Sequence, residues 1–248
     1  MYKNLLYKLL TFFSPNFDKY LSKKFSNSKN LNIVDIGFFK GSFSKSLITK
    51  VLKINKEVNI SLYSFDPNSN VNMDTFKEFW EYNQFSWKHS NMAIGSESKK
   101  ETFTILNAFP SSGSSIENIL QDSFWYKTRK IFLDPFGNKK NKISNFEIEV
   151  ETIDNLFTFN DHIDVFKIDV EGYSFEVLQG ACEYLKNNSP ALQVEILSRK
   201  IDFADKEEEI FNYLNNFNYK LISRKQHYTT HLFSDIRCVD YLFEKLPK

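Results

Sequence analysis

Three charged residues at alternate positions of one short segment give this chain its first sign of chemistry: Lys167, Asp169 and Glu171 in FKIDVEGYSFEVLQGA. Alternate residues of a strand share a face, and charges in an otherwise apolar strand are costly unless paired or used. The segment reads either as a site whose carboxylates meet a ligand or take a proton, or as a structural Lys–Asp pair. Glu195 repeats the theme in ALQVEI, at the end of the next apolar run. Upstream, VDIGFFKGSFS sets Gly37 and Gly41 just after Asp35. Glycine permits a tight turn and a close backbone approach, and the helix start beyond it offers N–H groups to an anionic part of a ligand. Phe39 breaks the GxGxxG dinucleotide pattern, and Lys40 stands before the second glycine rather than after it, against a P-loop. Asp66, in FDPNSN, is placed to accept two hydrogen bonds from a ribose diol, or serves as a turn residue before Pro67.

Among the histidines, His162 and His89 are expected at the wrong ends of their strands. His227 and His231 fall in RKQHYTTHLF between the last two strands, at the ligand-binding end, and are candidate proton acceptors. Their spacing would suit zinc only on a helix, and Tyr-Thr-Thr between them favours extended chain, so no metal is assigned. Asp169, Glu171 and Glu195 suit the hydroxyls of a substrate as well as they suit a hard cation.

These residues need a scaffold on which several strand ends meet. Apolar runs at 31–36, 60–65, 86–94, 163–170, 191–197, 219–223 and 239–243 predict strands, and helical patterns occupy 42–52, 73–82, 174–186 and 206–217. The alternation predicts an α/β fold with a mainly parallel sheet and ligands at the carboxyl ends of its strands. The last two strands lack a helix between them and should form a hairpin. Residues 101–150 break into short β-like pieces and an aromatic, basic stretch, an insertion over one edge or mouth of the sheet. There Trp125, Lys127, Arg129 and Lys130 suit a sugar face and an acidic carrier, with Ser114 and Ser115 in the same mouth; a solvated loop is the alternative. Residues 1–30 form a helical lead whose stripe, Leu5, Leu6, Leu9 and Leu10, ends at Pro15. It lies on the domain of 31–248, or else on a membrane surface or a partner.

Lys and Arg total 32 against 31 Asp and Glu, a net charge of +1, so no overall field draws in nucleic acid. Cys182 and Cys238 form no CxxC and fit buried thiols in a reducing, cytoplasmic compartment. No apolar run is long enough to span a membrane, and Lys8 interrupts the leader-like start, so no signal peptide is expected.

In order and spacing, VDIGFFKGSFS, FDPNSN, NMAIG, ETIDNL, FKIDVEGYSFEVLQGA and QVEI resemble the FkbM family of S-adenosylmethionine-dependent methyltransferases, over about residues 31–197. The resemblance implies a Rossmann-like class I methyltransferase fold. Its sheet has seven strands in the order 3-2-1-4-5-7-6, helices on both faces, and here an insertion between strands 3 and 4. It implies S-adenosylmethionine as cofactor and O-methylation of a sugar or related hydroxyl. Carried over, Asp35, Gly37 and Gly41 line the methionine end of the cofactor together with Phe38; Asp66 holds the ribose; Asn91 or Ala93 flanks the adenine. Asp169 and Glu171 face the methyl-transfer centre. Read from the residues themselves and not from the family, His227 is a further proton acceptor, and Lys167 and Glu195 join Ser114 and Ser115 as candidates to hold a small-molecule or glycan acceptor. Phe38 and Phe39 stand where the family usually has Ala-Asn, and Asp66 where it often has Glu. Two alternatives follow: a methyltransferase acting on a lipid or peptide, and a catalytically silent binding protein on the same fold. The oligomeric state is left open.

Overall fold

The apolar runs become strands because only a sheet covered on both faces can bury every residue of a segment such as VFKI. The computed structural model describes residues 17–69, 73–106, 143–227 and 235–246. In chain order its elements are α1 (Phe17–Lys24), β1 (Asn30–Ile36), α2 (Ser42–Ile54), β2 (Asn59–Phe65), α3 (Asp74–Asn83), β3 (Ser86–Ser90), β4 (Ala93–Ile94), β5 (Lys99–Leu106) and β6 (Ile143–Glu151). They continue with α4 (Ile153–Leu156), β7 (Val165–Ile168), α5 (Ser174–Gln179), α6 (Cys182–Asn187), β8 (Ala191–Arg199), α7 (Phe203–Asn215), β9 (Tyr219–Gln226) and β10 (Ile236–Lys245).

The main sheet runs β3-β2-β1-β7-β8-β10-β9. Counting only its own strands, that is 3-2-1-4-5-7-6, as expected. β10 alone runs antiparallel, to both β8 and β9, and forms the hairpin. Successive residues of β1 feed opposite cores: Val34 and Ile36 pack with Val177, Leu178 and Leu185 of α5 and α6. Leu31 and Ile33 pack with Leu47, Ile48 and Val51 of α2, and with Phe17 and Leu21 of α1. An Asp18–Lys50 ion pair at 2.8 Å also ties α1 to α2, so the described part of the lead shares the domain's core.

Two expected elements are divided. The strand expected at 86–94 is interrupted, and Ala93–Ile94 leaves the main sheet to join a small sheet of order β4-β6-β5. The helix expected at 174–186 breaks at Gly180, where a Cβ would stand 1.9 Å from the carbonyl oxygen of Gly95. Only glycine lets the backbone after β4 come so close. Leu5, Leu6, Leu9, Leu10, Pro15, Ser114, Ser115, Trp125, Lys127, Arg129, Lys130 and His231 lie outside the described residues. No helix among the described residues is long and apolar enough to cross a membrane.

Candidate functional site

The turn after β1 is built against the end of β7. Gly37 has φ +77°, and a Cβ there would lie 1.7 Å from the Asp169 carbonyl oxygen, so no other residue fits without moving β7. Lys167 is held beneath this turn. Its Nζ donates to the Gly37 carbonyl at 2.7 Å and lies 3.2 Å from one oxygen each of Asp35 and Asp169. Burial opposes its charge, but Asp169 and Asp35 outweigh it and hold the ammonium pKa above the usual lysine range. The second oxygen of Asp35 accepts from the Ser44 hydroxyl at 2.6 Å.

This arrangement corrects several expectations. Asp35 and Lys167 are both buried and paired with each other, and Lys167 lies equally close to Asp169, the Lys–Asp alternative left open above. Phe38 does not face the cleft: its ring is buried, edge-on to Phe76 at 4.8 Å and 5.9 Å from Trp87. Gly41 packs against the same rings, since a Cβ there would meet Phe38 at 2.4 Å and Phe76 at 2.5 Å. Asn91 is exposed and its Oδ1 accepts from His89 Nε2 at 3.0 Å, off the cavity wall.

In front of the turn lies a cavity of about 290 Å³. Its middle is apolar, walled by Ile36, Phe65, Met92, Ala93 and Ile94, and Phe103 of β5 reaches it from the small sheet. Asp66 lies on this wall, half-buried. One carboxylate oxygen accepts from the Phe39 N–H at 2.7 Å and the other from Asn68 N–H at 2.9 Å. Burial raises its pKa and these two bonds pull it back. Phe39, φ +49°, is the aromatic residue of the pair that lines the cavity.

Asp169, Glu171 and Glu195 also line the cavity. Glu171 is a non-glycine residue in the left-handed region, φ +53°, followed by Gly172 at +106°. Such a conformation costs about 1–3 kcal/mol and persists only where its surroundings impose it. Glu195 is 8% exposed; one oxygen accepts from the Cys238 thiol at 3.0 Å, and the other is buried with no hydrogen-bond partner among the described residues. Burial, then the charges of Asp169, Glu171 and Asp240, push its pKa well up. His227 follows β9 directly, and its Nε2 lies 2.9 Å from Asp240 Oδ2. That bond raises the imidazole pKa against the opposing effect of burial.

Sequence reasoning missed Cys238 and Asp240, whose place beside Glu195 comes from the β8–β10 register: Asp240 pairs with Glu195 and Cys238 with Leu197. It also misplaced His89. Because β3 ends at Ser90, His89 sits at the carboxyl end, sharing a 2.9 Å hydrogen bond with Ser64, and burial lowers its pKa. His162 is where expected, exposed beside Asp164 at 3.0 Å.

A model of the Methyltransferase FkbM domain matches residues 35–221. Among solved structures, the methyltransferase FkbM from Methylobacillus flagellatus KT is 14% identical, with a TM-score of 0.49 over 86% of this chain. The chain spans 44% of that protein's length. The TYW2 protein of M. jannaschii in complex with AdoMet is 13% identical, with a TM-score of 0.40 over 94% of this chain and 78% of that one. Precorrin-6y C5,15-methyltransferase from Geobacter metallireducens GS-15 is 11% identical, with a TM-score of 0.43 over 92% of this chain and 87% of that one. No curated protein matches the chain in sequence.

Proposed function

Because the chain belongs to the FkbM methyltransferase family, we propose that it is an S-adenosylmethionine-dependent O-methyltransferase whose acceptor is a hydroxyl, a sugar hydroxyl of a glycan or glycoconjugate foremost. One observation carries this reading: Asp169, Glu171 and Glu195 converge on a cavity whose wall also holds Asp66. Carboxylates accept hydrogen bonds from hydroxyls and take their protons, and the near-neutral charge of the chain argues against a polyanionic acceptor.

The residues present fit the cofactor. The apolar wall of Ile36, Phe65, Met92 and Ile94 suits a purine, Asp66 suits a ribose diol, and the acids suit a cationic end. When bound, S-adenosylmethionine supplies an electrophilic methyl group on a sulfonium. Asp169, paired with Lys167 at 3.2 Å, is held at a set position and orients what lies before it. Glu171 takes the proton that the acceptor hydroxyl sheds as it attacks, a role worth roughly 10²–10⁴ in rate. Tyr173 and Phe103 line the same cavity and exclude water from it.

Calorimetric titration with S-adenosylmethionine and S-adenosylhomocysteine tests the reading. Micromolar binding of both is expected, followed by S-adenosylhomocysteine release with a glycan acceptor and its loss in Glu171→Gln. A folded protein that binds neither overturns it. That result would favour a silent binding protein, whose supporting observation is that backbone N–H groups, one from the cavity-lining Phe39, already engage both oxygens of Asp66.

A further inference from the structure

Four carboxylates crowd the acidic end of the cavity and its rear: Asp169, Glu171, Glu195 and Asp240. Lys167 pairs with Asp169, and His227 with Asp240. Glu195 receives only a thiol, and its second oxygen, on a side chain more than nine-tenths buried, has no partner among the described residues. An anion so placed costs several kcal/mol unless a cation answers it. The ligand atoms of Glu195, His227 and Cys238 all lie within 4.8 Å of one another. A tetrahedral zinc with bonds of about 2.0–2.3 Å needs its ligands roughly 3.3–3.8 Å apart, so shifts of about 1 Å close the site. With Nε2 of His227 bonded to Asp240, Nδ1 is the nitrogen left to a metal when the imidazole is neutral, the carboxylate–histidine arrangement that orients a metal ligand.

We propose that Glu195, His227 and Cys238 bind a divalent ion of zinc type, with Asp240 as the residue that positions the imidazole. Binding converts the Cys238 thiol to a thiolate and releases its proton to solvent. Three protein ligands leave a fourth position for a water or a substrate oxygen, and Glu195 itself lines the cavity. The site stands on its own geometry; its role rests on the methyltransferase reading, in which the ion binds the acceptor oxygen, lowers the hydroxyl pKa and leaves Glu171 to take the proton.

The test uses Co²⁺ added to the chelator-treated full chain. One equivalent should bind with a thiolate-to-cobalt charge-transfer band in the near ultraviolet, displaced by Zn²⁺. Cys238→Ser should abolish the band, Glu195→Gln should weaken binding at least tenfold, and Cys182→Ser should change nothing. Should Cys238→Ser fail to fold, His227→Ala takes its place and should weaken cobalt binding by a similar factor. No band, or a band that survives loss of Cys238, overturns the site. Calorimetry with S-adenosylmethionine on the metal-free protein reads the methyltransferase assignment separately, so either proposal can fall without the other.

Discussion

Two acidic clusters sit a few residues apart at the carboxyl ends of neighbouring strands, and they answer their charges in opposite ways. Around Lys167, the ammonium donates to the Gly37 carbonyl and lies 3.2 Å from one oxygen each of Asp35 and Asp169. Around Glu195, one oxygen meets a weak thiol donor and the other meets nothing among the described residues. A closed network fixes the shape of the turn that presents a ligand. An open one waits for something to complete it. Residue type alone does not separate these cases, because both clusters place acids at the ends of apolar strands; a buried cation paired with the acids does.

Breaking the closed network should have the largest effect. Lys167→Met leaves Asp35 buried without its cation and should cost about 3–5 kcal/mol in urea unfolding. A loss under 1 kcal/mol would mean that the pair is dispensable. At the open cluster the sign reverses. In metal-free protein, Glu195→Gln should be as stable as the parent or more so, by about 1–3 kcal/mol at pH 8, because it removes a buried carboxyl that must there either keep its proton or hold an unanswered charge.

The pH dependence follows from the direction of the Glu195 shift. Its folded pKa is raised, by burial first and by neighbouring carboxylates next, so the native protein keeps a proton that the unfolded chain has released. That stability is fully present below the ordinary glutamate range and is lost as pH rises through the folded value. His227, also raised, adds a loss of the same sign above the ordinary histidine range. Unfolding curves at pH 4 and pH 8 should therefore differ less for Glu195→Gln than for the parent, and equal differences would count against the assignment.

Asp66 lies between the two extremes, with both oxygens already engaged by backbone N–H groups. Asp66→Ala should weaken S-adenosylmethionine binding roughly tenfold, the worth of a hydrogen bond to a charged group, and unchanged affinity would remove the ribose assignment. The smallest effect belongs to His162→Ala. Its pair with Asp164 resembles His227–Asp240 on paper, yet the imidazole is 76% exposed, and stability should change by no more than about 0.5 kcal/mol.

Much of the fold was legible because central parallel strands are apolar throughout and helices between them carry a periodic stripe. Interruptions were harder to see. Gly180 breaks a helix through contact with Gly95, a residue 85 positions earlier, and no local pattern reports such an approach. Within the site, Asp169, Glu171 and Glu195 could be picked out as charges in apolar company. Asp35 and Lys167 carried the same signal, and Phe38 stood in the glycine turn, but all three face inward, which depends on the burial of their neighbours. Cys238 and Asp240 escaped notice because their meeting with Glu195 is a matter of register between strands some 40 residues apart.

The small sheet has a consequence for how the molecule can change. The chain leaves β5 at Leu106 and returns at Ile143, and these two residues are partners at the end of one ladder. Whatever is strung between them begins and ends at a single point, like a tool on a fixed mount. Closing a longer flexible chain between two such points costs about 0.6 kcal/mol for each doubling of its length, and the ladder itself holds the Phe103 wall. A graft at this port leaves the strand ends that carry the acids where they are.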